Sequence, residues 1–169
     1  MNYSGIKYTD MVNGEGIRVS LFVSGCTHHC QECFNFKTWD KDYGDLFTLE
    51  VENQIFEYFK KYDKSIKGLS LLGGDPTFKD NIPVLIEFLT KFKNKFPSKD
   101  IWIWSGYTWE VISQSEELFS LVKLCHILVD GKFKIDEKDL TLKWRGSRNQ
   151  RVIDIQKSID TQSIIKYIL

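Results

Sequence analysis

Hydrophobic positions recur along the chain with two periods, and the period of strands alternates with that of helices. Apolar side chains two positions apart predict a strand over residues 17–23, where Ile17, Val19, Leu21 and Val23 share one face. Short apolar runs predict further strands over 66–72, 100–104 and 124–129, and another apolar run covers 152–155. Helical spacing predicts helices over 49–62 and 82–96, and one or two short helices over 109–122.

Strands that alternate with helices indicate right-handed βαβ units and a parallel sheet in an α/β domain. Four clear strands are too few for a closed eight-stranded barrel, so the pattern leaves an open or partial barrel or a doubly wound sheet. Unusual residue clusters follow the strand ends, at 26–33, 73–76, 105–107 and 130–133. Because active sites of such folds lie at the carboxyl ends of the strands, we expect these loops to share one edge.

The composition is that of one globular domain, and it excludes several classes of function. The 169 residues include 23 basic and 23 acidic side chains, so the formal net charge is zero. This balance argues against nucleic-acid binding, which needs a basic surface to neutralise phosphates. No apolar run approaches the length of a membrane span, and residues 1–10 lack the pattern of a signal peptide. We therefore expect a cytoplasmic protein that binds neither nucleic acid nor membrane.

Three of the four cysteines, Cys26, Cys30 and Cys33, lie on the loop after the first predicted strand. Three thiolates at this spacing suit a 4Fe-4S cluster in which one iron keeps an open position. Zinc completed by one histidine, His28, His29 or His126, is the main alternative, and buried thiols without a ligand are a third. The loop follows a strand in a domain that needs no zinc to join small lobes, which favours the cluster.

Short motifs elsewhere in the chain add a resemblance to a known family. The matching stretches are Asn13–Arg18, Phe22–Cys26, Cys33–Asn35, Gly73–Pro76, Ser105–Tyr107, Val129–Gly131, Trp144–Ser147 and Asn149–Arg151. With these motifs the chain resembles the activating proteins of anaerobic (class III) ribonucleoside-triphosphate reductases, in the radical S-adenosylmethionine (radical SAM) superfamily. The superfamily shares the cysteine loop and 73–76, whereas 144–151 and the small size indicate the narrower family.

The resemblance implies a fold and a chemistry. The fold is a partial, open parallel β/α barrel of the radical SAM type, formed by a single domain over 1–169, with 144–169 as a C-terminal extension that contacts a partner. Cys26, Cys30 and Cys33 are implied to ligate a 4Fe-4S cluster whose open iron binds S-adenosylmethionine. Reductive cleavage of S-adenosylmethionine gives a 5′-deoxyadenosyl radical, which removes hydrogen from a glycine of the reductase. The implied enzyme is a radical SAM oxidoreductase, a glycyl-radical activase.

The resemblance also implies partners. The glycyl-radical subunit of the anaerobic ribonucleoside-triphosphate reductase is the protein substrate, and an external one-electron donor such as flavodoxin reduces the cluster. The implied assembly is a homodimer or a heterotetramer with the reductase. Two other functions remain open: a radical SAM enzyme that acts on a small molecule, similar to 7-carboxy-7-deazaguanine synthase, and a zinc-binding interaction module.

Three loops supply the residues predicted to bind the cofactor. They are Glu32, Cys33, Phe34, Gly73, Gly74, Asp75 and Ser105. Gly74 is the best candidate for a backbone contact with the methionine moiety, because glycine permits close approach. Asp75 stands where the superfamily more often has glutamate, so its role is open. Glu32 stands where many members have an aromatic residue, which leaves the backbone of 32–34 as the predicted adenine contact.

Several other residues carry plainer expectations. Arg18 is expected to be solvated, and His28 and His29 are expected to be exposed, whereas Cys125 is expected in the core. The resemblance places 13–16 beside the cluster. The segment 144–151, with three arginines and a tryptophan, is predicted to dock the partner, because Trp and Arg are enriched in interface hot spots.

Overall fold

Seven strands form one sheet in the computed structural model, which describes residues 1–168. In chain order the strands are β1 (Asn2–Asp10), β2 (Arg18–Val23), β3 (Asp45–Leu46), β4 (Gly68–Gly73), β5 (Asp100–Ser105), β6 (Ile127–Asp130) and β7 (Arg151–Asp154). Across the sheet they are ordered β3-β1-β2-β4-β5-β6-β7. The strands β3 and β7 therefore stand at the two edges of an open sheet.

The four neighbouring strands β2, β4, β5 and β6 are parallel, as the alternation of strands and helices predicts. Leu21 lies opposite Leu71, Leu71 opposite Ile103, and Ile103 opposite Leu128, so one apolar row crosses all four strands. The strands that flank these four, β1 and β7, pair antiparallel with β2 and β6, and the edge strand β3 pairs antiparallel with β1. The sheet is thus mixed, and the parallel prediction holds for its centre only.

Five helices connect or follow these strands. They are α1 (Leu49–Lys61), α2 (Ile82–Lys95), α3 (Trp109–Gln114), α4 (Glu116–Val122) and α5 (Ile155–Thr161). Residues 109–122, predicted as one or two helices, form two. Ser115 ends α3, and its side chain caps α4 by accepting a hydrogen bond from the Leu118 N–H. Within residues 1–168, no helix combines the length and the apolar character needed to cross a bilayer.

All five helices contribute to one hydrophobic cluster on a single face of the sheet. Buried residues of the helices, such as Phe59 and Phe92, pack with strand residues such as Leu21 and Leu71 in this cluster. The opposite face carries a smaller cluster of Trp102, Ile127, Val129 and Val152. A doubly wound sheet has helices on both faces. That alternative from the sequence therefore does not describe this chain.

Arg18 lies on the face opposite the helices and is fully buried, so the prediction of a solvated side chain is wrong. Its Nε donates to Ser70 Oγ at 2.7 Å, and its Nη2 donates to the Leu69 carbonyl at 2.8 Å. An ion pair joins it to Asp100, and the Trp102 ring centre lies 5.3 Å from its Cζ. The partners come from β4 and β5, which sequence alternation within β2 does not indicate.

The loop before β2 lies at the amino ends of the parallel strands. Lys67, just before β4, donates its N–H to the Ile17 carbonyl at 2.7 Å, and its Nζ pairs with Glu15. The Tyr167 hydroxyl donates to the same Glu15 carboxylate at 2.8 Å. The expectation that 13–16 lie beside the cysteine loop is therefore wrong, because Cys26 follows the other end of β2.

Candidate functional site

The loops after β2, β4 and β5 meet at the carboxyl edge of the sheet, as the sequence predicts. The Gly74 N–H donates to the Val23 carbonyl at 2.8 Å, and the Asp75 N–H donates to the Gly25 carbonyl at 2.8 Å. Gly106, directly after β5, donates its N–H to the Asp75 carboxylate at 3.0 Å. The cysteine loop is thus hydrogen-bonded to the β4 loop, which is hydrogen-bonded to the β5 loop.

Backbone packing requires glycine both at the last position of β4 and directly after it. Gly73 has a φ of +113°, and a Cβ there would lie 2.6 Å from the Val23 carbonyl oxygen. A Cβ on Gly74 would lie 2.6 Å from the Gly25 carbonyl oxygen and 2.8 Å from that of Thr38. The absence of side chains therefore lets the β4 loop lie directly against the cysteine loop. Cofactor contacts of Gly73 and Gly74 stay predictions.

Cys26 is the most enclosed cysteine of the loop, at 9% exposure. Burial raises the pKa of its thiol to about 11, and the backbone N–H groups of His28 and His29 oppose that shift. A coordinated metal replaces the thiol proton outright, and N–H groups that face a sulfur stabilise its thiolate form. Without a metal the Cys26 thiol stays protonated at neutral pH, and the two N–H groups that face the sulfur would stabilise its thiolate once a metal is bound.

Cys30 and Cys33 are partly buried, and neither forms a disulfide. Burial raises the pKa of Cys30, whereas the backbone N–H of Phe133, on the loop after β6, opposes the shift. The loop thus presents three free thiols, two of which have backbone N–H groups aimed at the sulfur. Soft thiolate ligands of this kind suit iron–sulfur clusters, whose potentials respond to hydrogen bonds at the sulfurs. The residues present fit a 4Fe-4S cluster.

The two histidines of the loop have other contacts. His28 donates from Nε2 to Asp75 Oδ2 at 2.7 Å, and the His29 ring stacks on Trp39 with ring centres 4.6 Å apart. These contacts argue against either histidine as the fourth ligand of a zinc ion. Within residues 1–168, no three His, Cys, Asp or Glu side chains are arranged to hold one metal ion. In a 4Fe-4S cluster, by contrast, each cysteine binds a different iron.

The carboxylate of Asp75 accepts five hydrogen bonds and is 2% exposed. Thr77 donates to Oδ1 from its N–H at 2.8 Å and from its hydroxyl at 2.6 Å. His28, Ser105 and Gly106 donate to Oδ2 at 2.7, 3.2 and 3.0 Å. Asp75 therefore joins the ends of β2, β4 and β5 through protein contacts alone. Cofactor contact through this carboxylate or the Ser105 hydroxyl stays a prediction.

His28 differs from the prediction that both histidines are exposed. Its side chain is 6% exposed, whereas His29 is exposed as expected. The Tyr107 ring packs edge-on against the His28 ring, with ring centres 4.6 Å apart. The hydrogen bond of His28 cannot be recognised in the sequence because its partner lies on another loop. The role of Thr77 does have a local signal, since a threonine two residues after an aspartate is typical of an Asx turn.

Glu32 and Phe34 flank Cys33 and point away from the core. Phe34 is 96% exposed, and Phe36 is 59% exposed, so two aromatic rings stand on the surface next to the cysteine loop. Glu32 is exposed and has a φ of +54°, a left-handed conformation that redirects the chain before Cys33. Their contacts with a cofactor stay predictions.

The segment Trp144–Arg151 binds the loop after β6. Asn149 Nδ2 donates to the Lys132 carbonyl at 2.8 Å, and Gln150 Nε2 donates to the Gly131 carbonyl at 2.9 Å. Because Phe133 of this loop faces Cys30, the segment supports one side of the cysteine loop. Docking of a partner by 144–151 stays a prediction.

Comparison with known proteins decides the family. Residues 12–153 match the family model of a 4Fe-4S single cluster domain. An anaerobic ribonucleoside-triphosphate reductase-activating protein of Pasteurella multocida is 43% identical over 150 residues, which cover 89% of this chain and 95% of the relative. The chain belongs to this family of activating proteins.

Two further members of the family come from different kinds of host. The activating protein of Escherichia coli K12 is 41% identical over 152 residues, covering 90% of this chain and 97% of the relative. That of Enterobacteria phage T4 is 42% identical over 154 residues, covering 90% and 93%. The family indicated by the sequence motifs is confirmed. The matched region, 12–153, contains all the loops of the candidate site.

Proposed function

We propose that this chain is a radical SAM enzyme that activates an anaerobic ribonucleoside-triphosphate reductase. The observation that carries the proposal is the loop of three free cysteines at the carboxyl edge of four parallel strands. This loop occurs in a chain 41% to 43% identical to reductase-activating proteins. Three cysteine ligands leave one iron of a 4Fe-4S cluster without a protein ligand, which is the position that S-adenosylmethionine needs.

The residues of the chain have three tasks in this proposal. Cys26, Cys30 and Cys33 hold the cluster, and the N–H groups aimed at Cys26 and Cys30 stabilise their thiolate forms. When bound and reduced, the cluster would supply the one electron that cleaves S-adenosylmethionine to methionine and a 5′-deoxyadenosyl radical. That radical would abstract a hydrogen atom from a glycine of the reductase. The protein orients these groups and excludes water.

The cofactor lies, in our proposal, beside Glu32, Cys33, Phe34, Gly73 and Gly74. The exposed Phe34 and the exposed backbone around Glu32 offer apolar surface and hydrogen-bonding groups for adenine. Asp75 and Ser105 support the loops that contact the cofactor, because they hydrogen-bond to each other and Asp75 hydrogen-bonds to His28 of the cysteine loop. Their direct contact with the cofactor requires some of those bonds to break.

The fold proposed for the chain is an open β/α barrel of the radical SAM type. Four parallel strands with all helices on one face support it, because a barrel places its helices outside. The opposite face of the sheet then faces the interior, where Trp102 and Arg18 are buried.

The proposed protein substrate is the glycyl-radical subunit of the reductase. Phe34 and Phe36 are exposed next to Cys33, and large exposed apolar side chains next to a reactive centre suit a protein partner. An external donor such as flavodoxin supplies the electron, and the assembly is a homodimer or a heterotetramer with the reductase. Four free cysteines suit a reducing compartment, so we assign the protein to the cytoplasm.

The test is anaerobic reconstitution with iron and sulfide, followed by reduction and electron paramagnetic resonance. We expect a cluster signal that changes when S-adenosylmethionine is added, because the cofactor binds the open iron. The second step adds the reductase and measures a glycyl radical signal together with 5′-deoxyadenosine. Zinc without iron would contradict the cluster, and full turnover of a small molecule without the reductase would contradict the activase.

A further inference from the structure

We propose that His28 is a positioning residue that anchors the cysteine loop to the ends of β4 and β5 through Asp75 and Gly106. This inference rests on the proposed function, since the anchored loop is the one assigned to the cluster. In this proposal the imidazole of His28, between Cys26 and Cys30, determines the shape of the cysteine loop before any cluster binds.

His28 fills a slot formed by residues of two other loops. Its Nε2 donates to Asp75 Oδ2 at 2.7 Å, and the two side chains are only 6% and 3% exposed. The ring lies so close to Gly106 that an added Cβ there would meet it. The Tyr107 ring also packs edge-on against the His28 ring, with ring centres 4.6 Å apart. The slot therefore specifies both a hydrogen bond and a ring shape.

Asp75 is a fixed acceptor because other donors hold it. Thr77 supplies two hydrogen bonds to Oδ1, and Gly106 supplies one to Oδ2 from its backbone. None of these three bonds depends on the cysteine loop. The carboxylate keeps its position if His28 is lost, so the hydrogen bond positions the loop and not the reverse.

The anchor lies at the centre of the cysteine loop. His28 is two residues after Cys26 and two before Cys30, and its own backbone N–H faces the Cys26 sulfur. A fixed ring at this position therefore restricts the backbone that presents both thiols. Without it, the loop keeps its hydrogen bonds at Gly25 and Cys26 but loses its contact with β5.

His29 provides a matched control in the same loop. It is also a histidine next to cysteines, but it is exposed and stacks on Trp39, which lies just beyond the cysteine loop. Its ring makes no contact with the β4 or β5 loops comparable to that of His28. Removal of His29 is expected to leave the anchor intact.

The first experiment measures thiol alkylation in the apoprotein, which requires no cluster. In His28→Ala we expect Cys26 to react about tenfold faster than in the parent protein, because a buried hydrogen bond to a carboxylate no longer opposes local opening. His29→Ala is expected to match the parent. Cys125 is fully buried in the main core and reports global unfolding. Unchanged Cys26 reactivity in His28→Ala, or equal exposure of Cys125, overturns the proposal.

A second variant tests the slot without removing the imidazole. The φ of Gly106 is not in the left-handed range, so its backbone accepts alanine. The methyl group of Gly106→Ala would displace the His28 ring. We therefore expect Gly106→Ala to expose Cys26 as His28→Ala does. In the double variant the methyl group has room, so its effect should equal that of His28→Ala alone. Strictly additive effects would contradict a shared slot.

The loaded protein supplies a spectroscopic readout. We expect His28→Ala to bind fewer clusters per chain and to show a smaller change of the paramagnetic resonance spectrum with S-adenosylmethionine. His28→Gln retains a donor for Asp75 and should recover part of both. Absence of a cluster in the parent protein would contradict the proposed function, whereas the alkylation result would still decide the anchor.

Discussion

Arg151 holds Glu110 through two parallel hydrogen bonds, Nη1 to Oε1 at 2.9 Å and Nη2 to Oε2 at 2.8 Å. The same guanidinium donates from Nε to Asp130 Oδ1 at 3.0 Å, and Asp130 is almost completely buried. Asp130 also accepts the Trp109 N–H at 2.7 Å, at the start of α3. Arg151 therefore connects β7, the end of β6 and the start of α3, and its role is structural.

Arg151→Met is expected to lower the free energy of unfolding by about 3 kcal/mol, because it leaves the buried Asp130 without its cation. Urea unfolding of the apoprotein measures this change. Arg148 is exposed in the same segment, so Arg148→Met serves as the control and should stay within about 0.5 kcal/mol of the parent. Equal stability of the two variants would contradict the assigned role of Arg151.

The ion pair also predicts a pH dependence. Arg151 lowers the pKa of Glu110 from 4.5 to about 2. A carboxylate with a lowered folded-state pKa stabilises the fold fully above its unfolded pKa, and this stabilisation is lost as the pH falls toward the folded value. The Glu110 side chain is 54% exposed, so the effect is small. We expect Glu110→Gln to reduce the loss of thermal stability between pH 4.5 and 2. A larger loss of thermal stability in Glu110→Gln than in the parent protein over this pH range would contradict the expected direction.

Arg148 is the arginine of 144–151 best placed to dock a partner. Arg145 donates to the Gln150 carbonyl at 2.6 Å, and Arg151 is paired, whereas Arg148 is exposed. We expect Arg148→Ala to weaken activation of the reductase about tenfold, as an interface arginine typically does, with unchanged S-adenosylmethionine cleavage. Measuring glycyl radical and 5′-deoxyadenosine in parallel separates the two. Equal losses of both products would contradict docking.

Local patterns predicted much of the fold because the long helices bury one face each, while the central parallel strands are buried on both faces and appear as short apolar runs. Helix α2 carries Leu85, Phe88, Leu89 and Phe92 on one side, and all four are completely buried. Strand β1 was missed because its residues alternate poorly and its stability comes from pairing with β2. The helix α5 was missed because it is short and begins directly at the end of β7.

The site residues whose signal lies within one short stretch of sequence could be predicted. Those whose role depends on partners from other strands or loops could not. The cysteine spacing and the glycine pair are local signals, and the structure brings them to one edge. The burial of Arg18 depends on Ser70 and Asp100, and that of His28 depends on Asp75 and Gly106. Such partners become neighbours only through the order of strands in the sheet.

Arg18→Met is expected to destabilise the apoprotein by about 3 kcal/mol, because Asp100 and Ser70 lose a buried hydrogen-bonded cation. Arg18→Lys should recover only part of this stability, since one ammonium group cannot reproduce the fork that reaches Ser70, Leu69 and Asp100 together. Lys7 is a suitable control, because it is exposed on the neighbouring strand and lies 5.5 Å from the Phe22 ring centre. A loss for Lys7→Met as large as for Arg18→Met would contradict the importance of burial.

The cysteines give the most direct prediction for the chemistry. Replacement of Cys26, Cys30 or Cys33 by Ala is expected to abolish the 4Fe-4S cluster and the cleavage of S-adenosylmethionine, because each thiolate holds a different iron. Iron and sulfide content and the yield of 5′-deoxyadenosine measure both losses. Cys125→Ala is the matched control: its thiol is fully buried in the main core, so the variant should keep the cluster and lose only about 1 kcal/mol of stability. Full cleavage by any of the three loop variants would remove that cysteine from the ligand set, and loss of the cluster in Cys125→Ala would show that the core thiol takes part in ligation.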